Sequence, residues 1–139
     1  MKNPITVEAH VHAPIEKVWN DYTNPEAIQE WNAASDDWHT TKAENDLRPG
    51  GSFFSRMEAK DGSAGFDFRG VYDAVVLHER IAYTMTDGRK VEVTFAPEGG
   101  GVKVVVVFDP ETENAPELQR EGWQSILDTF KKYAESPKA

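Results

Sequence analysis

The chain has no cysteine, which excludes disulfides, thiolate metal ligation and a cysteine nucleophile. Positive charge is also scarce. With 15 Lys and Arg against 24 Asp and Glu, the formal net charge is -9, a balance that repels phosphate backbones and anionic headgroups unless the cations cluster. They do not cluster. Arg89-Lys90 lies beside a turn, and Lys131-Lys132 closes a helical pattern where cations complement the helix dipole, so nucleic acid is not an expected partner. No apolar run approaches the roughly 18 residues that span a bilayer. Met1-Lys2-Asn3-Pro4 enters an alternating segment without an apolar core or cleavage site. Stable membrane insertion is therefore not expected, and the cytoplasm is the expected location. No serine occupies a nucleophile-elbow motif. Gly99-Gly100-Gly101 has no following helix or lysine to hold phosphate and reads as a hairpin loop. No cofactor is expected.

What is present is hydrophobic periodicity. The 139 residues suit one domain, 1–139, in which a chain of this length buries roughly two-thirds of its unfolded surface. Ile5, Val7, Ala9 and Val11 alternate with Thr6, Glu8, His10 and His12, the pattern of a half-buried strand. Pro14 then opens a helical stretch carrying Ile15, Val18, Trp19 and Tyr22. Asn24 and Pro25 start a second, short one with Ala27, Ile28 and Trp31 on its apolar face. Asp61-Gly62, Asp87-Gly88 and two glycine-rich reversals divide the middle into strands near Asp37 to Glu44, Ser52 to Lys60, Gly65 to Leu77, Arg80 to Thr86, Lys90 to Pro97 and Val102 to Asp109. Consecutive hairpins imply an antiparallel meander. From Ala115 to Glu135 one long amphipathic helix places Leu118, Gly122, Trp123, Ile126, Leu127, Phe130, Tyr133 and Ala134 on one stripe, with Gln119, Gln124 and Lys131 opposite. Asn114 with Pro116 and Glu117 reads as its starting device. Gly122 is read either as a site of close helix-to-sheet packing or as room left for a ligand.

Ala13-Pro14-Ile15-Glu16-Lys17-Val18-Trp19, Asn24-Pro25-Glu26 with Trp31, Asp46-Leu47-Arg48-Pro49-Gly50-Gly51, Gly70-Val71-Tyr72, Glu79-Arg80-Ile81 and Glu121-Gly122-Trp123 follow one another in an order and spacing that resembles the START-like (SRPBCC) superfamily. Within it, the chain is similar to the branch of activator of heat-shock-protein ATPase homologues. The resemblance runs nearly end to end. It implies an α+β helix-grip fold, a seven-stranded curved antiparallel sheet around a long C-terminal helix with two short helices after the first strand, and a deep cavity between sheet and helix. Such proteins bind lipids, sterols, polyketides or plant phenolics, some cyclise polyketides, and one branch is a co-chaperone domain. Where relatives often carry a histidine-containing segment in the last strand, this chain has Val102 to Phe108 and then Asp109-Pro110. No role resting on that histidine is expected.

Strand alternation assigns an inner face: Phe66, Phe68, Gly70, Tyr72, Ala74 and Val76 from the longest strand, with Phe53, Ser55, Met57, Ile81, Tyr83, Met85, Val91, Val93, Phe95, Val104, Val106 and Phe108 from the others. The residues expected to meet a ligand are Trp31, Trp38, Phe53, Met57, Phe66, Phe68, Tyr72, Tyr83, Met85, Phe95, Trp123 and Leu127. They are an apolar and aromatic set with a few hydroxyl and indole donors. Arg56 and Arg69 alternate outward. His10 and His12 share a strand face with Glu8 but lack a third convergent metal ligand. The leading expectation is a non-enzymatic binder of a small hydrophobic or aromatic molecule, such as a lipid, polyketide or flavonoid. A second is a co-chaperone-like interaction module or homodimer using an outward strip at Val105 and Val107. A third is a cyclase-like or hydrolytic enzyme, for which no convergent acid and base is found.

Overall fold

The computed structural model describes residues 3–33 and 35–136. Strand β1 (Ile5–Val11) leads into helices α1 (Ile15–Thr23) and α2 (Pro25–Trp31). These are followed by β2 (Trp38–Asn45), β3 (Ser52–Ala59), β4 (Gly65–Val76), β5 (Arg80–Met85), β6 (Lys90–Glu98), β7 (Gly101–Phe108) and α3 (Pro116–Glu135). The strands form one seven-stranded antiparallel sheet in the order β1-β7-β6-β5-β4-β3-β2. This is the α+β helix-grip arrangement. β1 and β2 are neighbours in the chain yet occupy opposite edges of the sheet, so α1 and α2 must cross its concave side between them, and α3 returns along that side.

The local causes are those expected from the sequence. Asn24 caps α2 by accepting the Glu26 N–H at 2.9 Å, with Pro25 at the first helical position. Gly62 and Gly88 take positive φ at the tight hairpins. The start of α3 differs: its cap is Ala115, without a side-chain hydrogen bond. Asn114 instead supplies its carbonyl to Gln119 Nε2 at 2.8 Å. Gln119 is accordingly buried, and Leu118, placed on the apolar stripe by periodicity, is exposed. The polar side chain wins because the turn from 111 to 114 needs its amide: Gln119 also accepts the Glu111 N–H and donates to the Glu111 carbonyl.

Two β-bulges displace the alternation. One lies between Thr40 and Lys42, the other between Tyr72 and Ala74. An extra residue reverses which side chains face inward beyond it. Past Tyr72, therefore, Val75 packs against the core and Val76 is exposed, correcting the inward assignment of Ala74 and Val76. On the convex side Val105 and Val107 are half-buried and sit opposite Glu8, Thr94, Thr6 and Glu92 on the adjoining strands. The apolar strip expected there is interrupted by polar neighbours. Arg56 and Arg69 face outward and pair with Glu58 and Asp67.

α3 is fastened along the β1 edge. Gln124 accepts the Glu8 N–H and donates to the Glu8 carbonyl, Lys131 donates to the His10 carbonyl at 2.6 Å, and the His12 N–H donates to Glu135 at 2.8 Å. Side chains one and two turns apart thus satisfy backbone groups of an edge strand that would otherwise stay open to pairing. Lys17 adds a link from α1, bonding the buried Asp21 carboxylate at 2.6 Å and the Ala134 carbonyl at 2.7 Å. The fully buried centre, with Val18, Val93, Val104 and Phe130, lies beneath this anchored part.

Candidate ligand cavity

Away from the β1 edge, the concave side is not filled. A cavity of about 270 Å³ is bounded by β2 to β5, α1, α2 and the α3 side chains Trp123, Ile126 and Leu127. Gly122, on α3 beside Trp123, is not part of the lining, and a Cβ added there would meet nothing within 4 Å. Close packing does not explain this glycine. Trp123 is stacked on Phe108 with ring centroids 4.0 Å apart and planes 10° apart, and it faces Phe68 at 6.5 Å.

Phe53 organises the sheet wall. Its ring lies over Gly70, where an added Cβ would sit 2.6 Å from the ring and 2.7 Å from the Thr84 carbonyl. Only glycine leaves that space, and the aromatic ring covers the gap in the strand. From there Phe53 meets Tyr83 at 4.7 Å, Tyr72 at 5.3 Å and Phe68 at 5.4 Å.

The polar groups are few. Tyr72 donates to Asn45 Oδ1 at 2.5 Å, and Asn45 Nδ2 donates to the Thr23 carbonyl at 2.6 Å. The Trp31 indole N–H, expected to need a partner, bonds the Asp21 carbonyl at 2.7 Å. Burial raises the phenol pKa of Tyr22, Tyr72 and Tyr83 above the ordinary value of 10.0. All three hydroxyls are therefore protonated at neutral pH. Two charged residues lie on the lining, each already paired: Glu44 with Lys42 at 3.0 Å and Arg89 with Asp87 at 2.7 Å.

Of the residues singled out by alternation, Trp31, Phe53, Met57, Phe66, Phe68, Tyr72, Tyr83, Met85, Trp123 and Leu127 line the cavity. Phe66 lies at its margin, 47% exposed. Phe95 and Trp38 do not line it. Phe95 is buried against Trp19 and Tyr22 in the filled part of the core. Trp38 packs on Phe66 and borders a separate polar depression with Glu30, His39 and Lys60.

Tyr22, Ile28, Asn32, Glu44, Asn45, Ser55, Arg89, Val106 and Ile126 also contribute to the lining. Periodicity had placed Tyr22, Ile28, Ser55, Val106 and Ile126 on inner faces without marking them as ligand contacts. Asn45 ends β2 beside a loop, and Arg89 belongs to a turn. The available signal was a hydroxyl on the apolar stripe of α1, at Tyr22.

His10 bonds the Glu98 carbonyl and touches the His12 ring at 4.6 Å. No group of three or more His, Asp or Glu side chains suited to a metal occurs among the described residues. No helix among them is long and apolar enough to cross a membrane.

The comparisons agree with this architecture. The family model described as activator of Hsp90 ATPase homolog 1-like protein matches residues 12–135. An AHSA1-like protein from Aeromonas hydrophila, solved in solution, is 51% identical, with the match covering 95% of this chain and 92% of that one at a TM-score of 0.89. A protein from Cytophaga hutchinsonii is also 51% identical, covering 96% and 92% at a TM-score of 0.83. One from Chromobacterium violaceum is 27% identical, covering 96% and 99% at 0.86. No curated protein matches the chain. A curved sheet gripping a C-terminal helix, matched over residues 12–135, shows that the chain belongs to the activator of Hsp90 ATPase homolog 1-like family.

Proposed function

We propose that the protein binds a small hydrophobic or aromatic molecule in the cavity between β2 to β5 and α3. The supporting observation is the lining itself, in which Phe53, Phe66, Phe68, Met57, Met85 and Trp123 surround an open space beside α3. Binding sites for small molecules have this character, apolar and aromatic walls with a few polar groups that orient the ligand. Family and fold support the same direction, since they serve in general for ligand binding or in Hsp90 co-chaperone settings. In this reading Trp123 and Phe68 are opposed walls, Phe53 forms the floor, and Met57 and Met85 adapt to ligand shape.

The test is a panel of fatty acids, sterols, flavonoids and polyketide-like aromatics, followed by amide NMR shifts and tryptophan fluorescence. At least one class is expected to produce saturable changes centred on Phe68, Tyr83 and Trp123. Unchanged spectra with every class would overturn the reading.

A further inference from the structure

The two edges of the sheet are finished differently. At β1 the outward backbone groups are taken by α3, through Gln124 at Glu8, Lys131 at His10 and Glu135 at His12. β2 forms the other edge, and among the described residues no side chain bonds a backbone group from Thr41 to Asn45. The helical segment is bonded to β2 near its two ends, where Thr40 Oγ1 donates to the Asn32 carbonyl at 2.7 Å and Asn45 Nδ2 donates to the Thr23 carbonyl at 2.6 Å. Between these ties Thr41, Lys42 and Glu44 are exposed. The ladder to β3 shows which backbone groups are left over. The Asp46 N–H donates to the Ser52 carbonyl at 2.9 Å, and the direction of bonding alternates along an antiparallel strand, so Glu44 and Lys42 also turn their backbone groups toward β3. Ala43, between them, turns its N–H and C=O away from β3.

Charge decides what fits there. Lys42 and Glu44 flank Ala43, share one face of the strand and pair with each other at 3.0 Å, their side chains 64% and 61% exposed. Charged edge residues discourage pairing with an unrelated strand. Two opposite charges placed one on each side of a central residue are nevertheless complementary to themselves: when such a strand meets a second copy antiparallel, with Ala43 opposite Ala43, each Lys42 faces a Glu44. An axis at Lys42 or at Glu44 would oppose like charges, so only the register centred on Ala43 is favoured. That register also places the free N–H and C=O of Ala43 against those of the second copy, and it puts the charged residues at the non-hydrogen-bonded positions, where side chains across the ladder are closest. We propose that the β2 edge is a self-association surface, on which two copies pair β2 antiparallel about a two-fold axis at Ala43 and join their sheets. Such a contact is isologous and closes on itself. It is separate from the strip at Val105 and Val107, and nothing in it depends on the cavity.

Sedimentation equilibrium of the full chain at low salt, from about 10 µM to about 1 mM, should show a reversible monomer-dimer equilibrium. Amide exchange should slow with concentration at Ala43 and stay unchanged at Lys42 and Glu44, whose N–H groups are already used by β3. Lys42→Glu and Glu44→Lys, each alone, turn both cross-axis pairs into like charges and should weaken the dimer about tenfold. Mixing these two variants should restore association as a heterodimer, because the two glutamates of one chain then face the two lysines of the other. Both side chains are exposed, so the fold is expected to survive, and circular dichroism checks this before mixing. Recovery on mixing is a result that general damage to the fold cannot produce. A monomer across the whole concentration range overturns the proposal. So does a dimer that is indifferent to both substitutions, or one whose single variants fail to recover when mixed, since either places the contact elsewhere on the surface.

Discussion

The two sides of the concave face are built from the same kinds of residue but filled differently. Beneath α1 and the C-terminal turns of α3, Val18, Val93, Val104, Phe95 and Phe130 are almost wholly buried. Under the N-terminal half of α3, Phe53, Phe68 and Trp123 are only partly covered. Composition does not account for the difference, because aromatics are plentiful on both sides. The placement of α3 does. Gln124, Lys131 and Glu135 fasten the helix to β1, which leaves its other flank as an overhang above β3 to β5. The boundary falls within one turn: Leu127 lines the cavity, while Phe130 is fully buried between Tyr22 and Trp31, each 5.0 Å away.

Truncation on each side is the strongest way to break this comparison. Phe130→Ala is expected to cost about 3–5 kcal/mol, the usual loss for a fully buried phenylalanine. Phe66→Ala, at the exposed margin, should cost less than about 1 kcal/mol. Urea unfolding measures both, and equal losses would mean that the two sides are packed alike. Gly70→Ala comes next. Its methyl group meets the Phe53 ring and the Thr84 carbonyl, so a loss of about 1–3 kcal/mol is expected from overpacking. A ring displaced toward the cavity should also weaken every ligand that binds there, which a titration would reveal. Gly122→Ala is the smallest effect and has the opposite sign. With nothing within 4 Å of the new methyl group, helix propensity should stabilise the chain by about 1 kcal/mol. A destabilised variant would show that α3 packs more closely there than the absence of neighbours around Gly122 indicates.

Much of this architecture is legible in the chain because it is local. Alternation and turn residues place all seven strands within a residue or so at each end, and Asn24-Pro25 places α2. The inner faces of β3, β5, β6 and β7 follow from the same alternation. Legibility fails where a distant partner decides. The bulge after Tyr72 exchanges the roles of Val75 and Val76, yet no residue in that run announces an extra position. Gln119 looks like a solvent-facing residue until the preceding loop needs its amide, and Leu118 then takes the exposed place. Trp38 and Phe95 have the chemistry of cavity residues but lie beyond its ends. Arg89 and Asn45 reach the cavity from a turn and from a strand end, where periodicity carries no information.

By itself the sequence determined the elements, their order, the hairpin connections and the apolar faces, since backbone preference and hydrophobic period act over a few residues. Whether those faces met in a filled or a hollow interior was decided only in the tertiary structure. A cavity is the space between surfaces brought together from remote parts of the chain, and its size depends on where α3 is fastened to β1, a contact between residues more than a hundred positions apart.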